Sequence, residues 1–393
     1  MKRSILYGMG SVCYAILQWL LIVVYSRYIG IESVGAYSLY LSVLTPIIIL
    51  VNGGLRVYIA ADINKDFSST SYVTLRVVFI VMFFLITLSL SNFMQYKDIF
   101  IFCCILKGID SLSDLEYGAW NRDGEIINYF YSQLYRLVIT FTLMYVCYSF
   151  GFQDVIYFSV PLAMLLVYFL HDRAKTNVSF NIESFSLLEV RRLFLSSYKI
   201  GVGALLAALT VTITRQMIEH FSDLKSLAEY IYITYFYNIM SIASLSISQV
   251  NIPIVARGES FSRIKNIFYF LTLFSVGYVV FILLFSERAI HVFYGVDINY
   301  SLVSKVSVAI GGVAYFFGVF INSFLVAKRR VTIIFNVNLI LFIMNAIIVY
   351  SMLVLNVKEG AFYAFAICGL LMLLINVFFV VKLKVINVVQ SET

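Results

Sequence analysis

Charge is the scarcest property of this chain: only 12% of its 393 residues are Asp, Glu, Lys or Arg. A soluble domain carries about a quarter, so a cytosolic enzyme, a secreted domain and a disordered chain are all excluded. Histidine is nearly missing as well. The three present, His171, His220 and His291, lie far apart at predicted span ends and build no zinc or diiron constellation. Five cysteines, Cys13, Cys103, Cys104, Cys147 and Cys368, sit in apolar runs without metal-site spacing or the density of a disulfide framework. No Gly-x-x-x-x-Gly-Lys-Ser/Thr loop occurs, so nucleotide hydrolysis is not encoded. The net charge of +7 is too thinly spread to coat nucleic acid. Neither a metal nor a cofactor is expected.

What is abundant is apolar surface: 62% of residues are hydrophobic and the mean hydropathy is +0.93. With about 20 apolar residues per crossing, the runs near 5–26, 34–52, 72–91, 98–118, 127–149 and 154–170 predict six spans. A polar stretch, 171–194, precedes six more near 195–217, 228–250, 266–286, 302–326, 332–356 and 361–381. The expected fold is an all-α polytopic membrane protein of about 12 spans. It divides into an N-lobe (1–170), an inter-lobe loop (171–194) and a C-lobe (195–393). The first run is too long for a signal peptide and lacks a cleavage site, so it is expected to stay as an anchor.

Basic residues fix the expected orientation. On one side lie Lys2, Arg3, Arg56, Lys65, Arg122, Arg173, Lys175, Arg191, Arg192, Arg257, Arg263, Lys265, Lys328, Arg329, Arg330, Lys382 and Lys384. The other side has only Arg27, Lys97, Lys225, Arg288 and Lys358. Both termini and the 171–194 loop are therefore expected in the cytoplasm. The Asn177-Val178-Ser179 sequon falls on that side and is discounted. Two sets of six spans give halves of the same orientation, related by an axis along the membrane normal. At a constant offset Gly8, Gly10, Ala15, Ser33 and Tyr37 recur as Gly201, Gly203, Ala208, Ser226 and Tyr230, a match that carries less weight than the shared order of spans.

Six cations fall within the predicted spans. Arg76, Lys199, Arg215 and Lys305 lie within roughly two turns of a span end, where a long side chain reaches the headgroups. Lys107 and Arg136 are deeper, nine residues in, roughly 14 Å at 1.5 Å per residue. Lys107, Asp110 and Asp114 share one helical face at i, i+3 and i+7, and Asp110 and Arg136 fall at similar depth on antiparallel spans. At roughly 2.5–3.5 kcal/mol per unpaired charge at a helix centre, these side chains must face protein or water. They are either a neutral network joining the fourth and fifth spans, or a cavity in which Lys107 and Arg136 draw in an anion while Asp110 or Asp114 takes a coupling ion. Asn52-Gly53-Gly54-Leu55-Arg56 adds a glycine pair followed by a cation. Pro46 and Pro253 are candidate bends in the second and eighth spans; Pro161 has no counterpart. The 29 Tyr and 35 Phe suit aromatic belts or sugar-stacking walls. Asn336, Asn338, Asn345 and Asn376 suit interhelical hydrogen bonds.

Several segments together resemble the bacterial O-antigen unit flippases (Wzx type) of the multidrug/oligosaccharidyl-lipid/polysaccharide (MOP) exporter superfamily. They are Ser26-Arg27-Tyr28-Ile29-Gly30 with Val34-Gly35-Ala36-Tyr37-Ser38, then Gly53-Gly54-Leu55-Arg56, then Gly108-Ile109-Asp110 with Asp114, Tyr117-Gly118 and Asn121-Arg122, and finally Ala228-Glu229-Tyr230 with Ile252-Pro253. One departure stands out. Many relatives carry an acid beside an Arg in the seventh span, where this chain reads Ile213-Thr214-Arg215-Gln216. The resemblance implies a bacterial inner-membrane transporter without enzymatic activity, moving undecaprenyl-pyrophosphate-linked oligosaccharide to the periplasmic leaflet by alternating access. It also implies an ion gradient as the driving force, with a polysaccharide polymerase and a chain-length regulator as partners. Arg56, Lys107, Arg136 and Arg215 are then the expected substrate-binding cations, and Asp110 and Asp114 the ion-coupling acids. The alternatives are a drug or cation antiporter of the same superfamily, which would need a net acidic cavity, and a membrane enzyme of polysaccharide assembly, which would need a larger extramembrane loop.

Overall fold

In a bilayer every backbone N–H and C=O must be satisfied within its own segment, and a chain this apolar meets that demand with helices. The computed structural model describes residues 2–62, 65–176, 178–181, 185–256, 261–327, 331–355 and 359–382, and the described residues contain helices and no strand. Arg257, Lys328, Arg329, Arg330, Lys358 and Lys384, and Asn177 of the sequon, lie outside the described residues, as do the side chains of Lys199 and Pro253.

The chain separates into two compact units, one of Met9–Thr212 and the other of Ile213–Thr393 with Met1–Gly8. The boundary falls inside a helix. In the first unit α1 (Lys2–Val24) continues as a π-helical turn, Tyr25–Ile29, and is followed by α2 (Ile31–Asn52), α3 (Leu55–Ala61) and α4 (Ser69–Ser91). Next come α5 (Lys97–Asp123), α6 (Ile126–Ser149), a 3-10 turn Gln153–Phe158, α7 (Ser159–Val167), a second π-helical turn Tyr168–Asp172, α8 (Arg173–Lys175) and α9 (Leu187–Phe221). Helical structure thus runs to Lys175 and resumes at Leu187, well inside the polar 171–194 stretch. The second unit holds the rest of α9, α10 (Leu224–Ala256), α11 (Phe261–Leu284), α12 (Ser286–Tyr294), α13 (Leu302–Ala327), α14 (Val331–Leu355) and α15 (Gly360–Lys382).

Among the described residues seven helices are long and apolar enough to cross a membrane, and an eighth span is added if α11 and α12, bent by 72°, count as one. The protein is a polytopic membrane protein. α4 displays the inverted amphipathicity this solvent demands: Val77, Val81, Leu85 and Leu88 are exposed, while Tyr72, Leu75, Arg76, Phe79 and Phe83 are buried. Its lipid-facing side is its more apolar side. α12 is not legible as a separate helix in the sequence, because the predicted ninth span, 266–286, ends at the bend.

Close approach within each unit depends on absent side chains. A Cβ on Gly118 of α5 would lie 2.2 Å from Ile59 Cγ2 and 2.7 Å from the Arg56 carbonyl oxygen of α3. In the second unit a Cβ on Gly369 of α15 would meet the Gly311 carbonyl oxygen of α13 at 2.7 Å. Small residues at such crossings let helices pack by van der Waals contact, as is usual in membranes. Asparagines of the second unit then bond across helices, Asn345 Nδ2 donating to Thr214 Oγ1 at 3.0 Å and Asn376 Nδ2 to the Gly318 carbonyl at 3.4 Å.

Candidate functional site

α2 ends because Gly53 and Gly54 both take left-handed backbone, φ 56° and 71°, a conformation that costs glycine least. The chain turns there and starts α3, so Asn52 ends one helix and Arg56 lies in the first turn of the next. With α3 pressed against Gly118, the Arg56 guanidinium reaches α5: Nη1 lies 3.0 Å from Asp114 Oδ1. Its Cζ sits 5.3 Å from the centroid of the Tyr117 ring and 5.7 Å from that of Tyr129, within cation–π range. Both partners of this pair stay partly accessible, at 33% and 27% of the side chain.

Beside Ser113 of α5 lies a fully buried pair. Arg136 of α6 donates from Nη2 to Ser113 Oγ and, at 2.9 Å, to Asp172 Oδ2, and neither Arg136 nor Asp172 is exposed. Asp172 Oδ1 is 3.1 Å from His171 Nδ1. Asp110 approaches Arg136 from the accessible side, 3.8 Å from Nη1, and accepts a 2.7 Å hydrogen bond from Tyr14 Oη. Tyr117 Oη receives Gln133 Nε2 at 2.9 Å and shares a 3.0 Å hydrogen bond with Ser132. Asp110, Asp114, Arg56 and Arg136 therefore belong to one cluster. Lys107 follows the same face one turn nearer the start of α5, half-buried, and no ion pair or hydrogen bond joins it to a described residue. Arg215 lies in the other unit, within electrostatic range of the Tyr230 and Tyr235 hydroxyls.

Sequence reasoning misses three members. Arg76 has the depth of an interfacial anchor but is buried, donating to Asn52 Oδ1 at 2.6 Å and Ser111 Oγ at 2.9 Å; Ser111 in turn donates to Asn52 at 2.7 Å. It does not snorkel. Asp172 reads in the sequence as an isolated pair with His171 at a span end, whereas the π-helical turn Tyr168–Asp172 carries its carboxylate inward to Arg136. Glu116, on α5, is buried with Oε2 lacking a hydrogen-bond partner. Arg76, Lys107, Arg56 and Arg136 are thus balanced by Asp110, Asp114, Glu116 and Asp172. Unused hydrogen-bonding capacity remains on Arg76 Nε and Nη2, Arg136 Nε and Nη1, and Gln133 Oε1.

No protein-family profile matches the chain, and no curated protein does. Solved structures do. An inward-facing multidrug resistance MATE family transporter of the MOP superfamily superposes with a TM-score of 0.73 at 13% identity, over 96% of both chains. An outward-facing MATE family transporter gives 0.68 at 12% identity, over 99% of this chain and 95% of that one. A MOP superfamily transporter from Pyrococcus furiosus, described as having a binding pocket of reversed polarity, gives 0.65 at 13% identity over 98% and 95%. The fold is the MOP transporter fold. At these identities the likeness is one of architecture, and the MOP fold is here built with a charged cluster on α3, α4, α5 and α6.

Proposed function

We propose that this protein is a flippase that moves a polyprenyl-pyrophosphate-linked oligosaccharide from the cytoplasmic to the periplasmic leaflet of a bacterial inner membrane by alternating access, with both termini in the cytoplasm. The carrying observation is the placement of cations. Arg56 keeps a third of its side chain accessible while paired, and Lys107 has no ion pair with a described residue. A pyrophosphate entering a low-dielectric space needs such groups, Arg binding in a fork and Lys as a point charge. Neighbours of this fold in inward-facing and outward-facing conformations support alternating access, and a MOP neighbour with a pocket of reversed polarity supports cargo other than cationic drugs. Asp110 and Asp114 are the proposed ion-coupling acids, since each sits at the accessible side of a cation and its proton occupancy would reset the local charge. Arg215, in the second unit, is proposed as a further cation for the substrate, and the lipid-linked oligosaccharide and bilayer are the proposed partners.

The test is reconstitution into proteoliposomes with a polyprenyl-pyrophosphate oligosaccharide that bears a fluorophore on its sugar, with a membrane-impermeant quencher reporting the exposed leaflet. Protein-dependent loss of leaflet asymmetry, abolished by Arg56→Ala together with Lys107→Ala, is expected. Quenching kinetics equal to those of empty liposomes would overturn the reading. Movement of a cationic dye instead would favour a drug antiporter.

A further inference from the structure

The first unit contains a second polar feature, which the charged cluster leaves unexplained. A cavity of about 610 Å³ is lined by the π-helical turn after α1, the start of α2, the α4–α5 connection and the 3-10 turn before α7. Four tyrosines, Tyr25, Tyr28, Tyr96 and Tyr157, form much of its wall, with Gln95 and Asp98 beside them. Ser33 and Lys97 complete the polar lining, in which one acid and one base leave no net formal charge.

The wall is built, not incidental. Tyr25 stacks on Tyr37 at 4.9 Å between ring centroids and packs against Tyr157 at 5.5 Å, while Tyr157 meets Phe102 edge-on at 5.1 Å. The Tyr96 backbone N–H donates to Tyr40 Oη at 3.0 Å, and its hydroxyl donates to Glu32 at 3.3 Å. Tyr25 is 1% exposed, yet its hydroxyl has no hydrogen-bond partner. A buried phenol normally finds one, so this ring is held by the aromatic packing around it and not by its hydroxyl. The π-helical turn that presents Tyr25 and Tyr28 is itself a rare device, found mostly at functional positions.

A cavity of this size suits one or two sugar rings. Rigid aromatic faces match the C–H faces of a pyranose, and a hydroxyl, an amide, a carboxylate and an ammonium match its alternating donors and acceptors. A cationic ligand would meet Lys97, and an anionic one would meet Asp98. We propose that this tyrosine-walled cavity is a binding site for an uncharged saccharide.

Its position gives it a use. α1 links the two features, because Tyr14 holds Asp110 of the charged cluster and Tyr25 lines the cavity eleven residues on, roughly 16 Å at 1.5 Å per residue. α5 runs back between them, with Asp98 at the cavity and Asp110 in the cluster. A lipid-linked oligosaccharide with its pyrophosphate at the cluster would extend its sugars toward the cavity, on the side proposed above to be periplasmic. That role rests on the flippase reading; the binding itself does not.

The experiment therefore uses free sugars. Full-length protein in lipid nanodiscs is mixed with a panel of neutral tri- to pentasaccharides of hexoses and N-acetylhexosamines, and saturation-transfer-difference NMR reads which ring protons touch protein. At least one saccharide is expected to receive saturation on its C–H faces. Tyr157→Ala should weaken it about tenfold, by loss of an aromatic face, and Tyr157→Phe should restore most of that. Tyr28→Ala, at a position 39% exposed, should weaken it severalfold. Absence of transfer from every saccharide, equal transfer in Tyr28→Ala and Tyr157→Ala, or competition by tetraethylammonium but not by sugar would each overturn the proposal. Saccharide binding without movement in the liposome assay would leave the site standing and remove the flippase reading.

Discussion

Replacing Arg136 with Met isolates the buried core of the charged cluster. The substitution keeps the length of the side chain but deletes the only cation bonded to Asp172 among the described residues other than His171, and the Asp172 carboxylate is fully buried. Removing one partner of a buried pair costs about 3–5 kcal/mol, mainly because the other charge is left uncompensated. Asp110 adds little, since it lies 3.8 Å away, is 24% exposed and keeps its bond from Tyr14; a pair of that kind is worth about 0–1 kcal/mol. Asp172→Leu alone should cost a similar 3–5 kcal/mol, roughly, by stranding the guanidinium. The double variant should cost no more than about 1–2 kcal/mol, because replacing both charges by apolar groups of similar volume is often close to neutral. The four proteins form a double-mutant cycle, measured by reversible unfolding in mixed micelles with rising dodecyl sulfate and followed by helical circular dichroism. A coupling energy of several kcal/mol is expected. Additivity of the two single changes within about 0.5 kcal/mol would refute the claim that these groups form one desolvated unit.

Asp110→Asn should abolish liposome transport while leaving unfolding nearly unchanged, because the amide oxygen still accepts from Tyr14; retained transport would remove Asp110 from ion coupling. Gly118→Ala should destabilise by about 1–3 kcal/mol as an overpacked contact and displace α3, so that a disulfide between the thiols introduced by Arg56→Cys and Asp114→Cys forms more slowly; unchanged stability and crosslinking would show that α3 yields freely. Asp223 accepts a 2.6 Å hydrogen bond from the Ser226 backbone N–H at the start of α10, and that bond holds its carboxyl below the ordinary value. Its stabilisation is therefore complete above the unfolded pKa of about 3.9 and is lost as pH falls through the lower folded value. Asp223→Ala should cost about 1 kcal/mol at neutral pH, as loss of a helix cap does, with Asp223→Asn nearly silent; equal effects of Ala and Asn would argue against capping.

The apolar runs are enough to locate the long helices, because in a bilayer the length of a span and the backbone's need for internal hydrogen bonds leave few alternatives. Helical spacing also reveals the shared face of Lys107, Asp110 and Asp114, and depth counting brings Arg136 level with Asp110. Arg76 and Asp172 escape for a common reason: their distance from a span end describes where they are along a helix, not what surrounds them. Arg76 is kept from the headgroups by Asn52 and Ser111 of two other helices. The carboxylate of Asp172 turns inward because a π-helical turn rotates the chain there, and no periodicity in the sequence announces such a turn. α12 escapes because the apolar run stops at the 72° bend, and the nine residues beyond it carry Glu287, Arg288 and His291 and are too few to read as a span.

The composition of α5 bears on how the protein is made. Lys97–Asp123 is not among the described helices apolar enough to cross a membrane, because Lys107, Asp110, Asp114 and Glu116 all lie within it. Each such charge at a helix centre opposes insertion by roughly 2.5–3.5 kcal/mol. Its neighbours supply what it lacks: α4 brings Arg76 to Ser111, and α6 brings Arg136 to Ser113 and Asp110. Insertion of α5 is therefore expected to depend on the companions that pair its charges. A nascent chain stopped at Asp123 is expected to insert α5 less completely than one extended through Asp172, which supplies the partner of Arg136; equal insertion of the two would refute this.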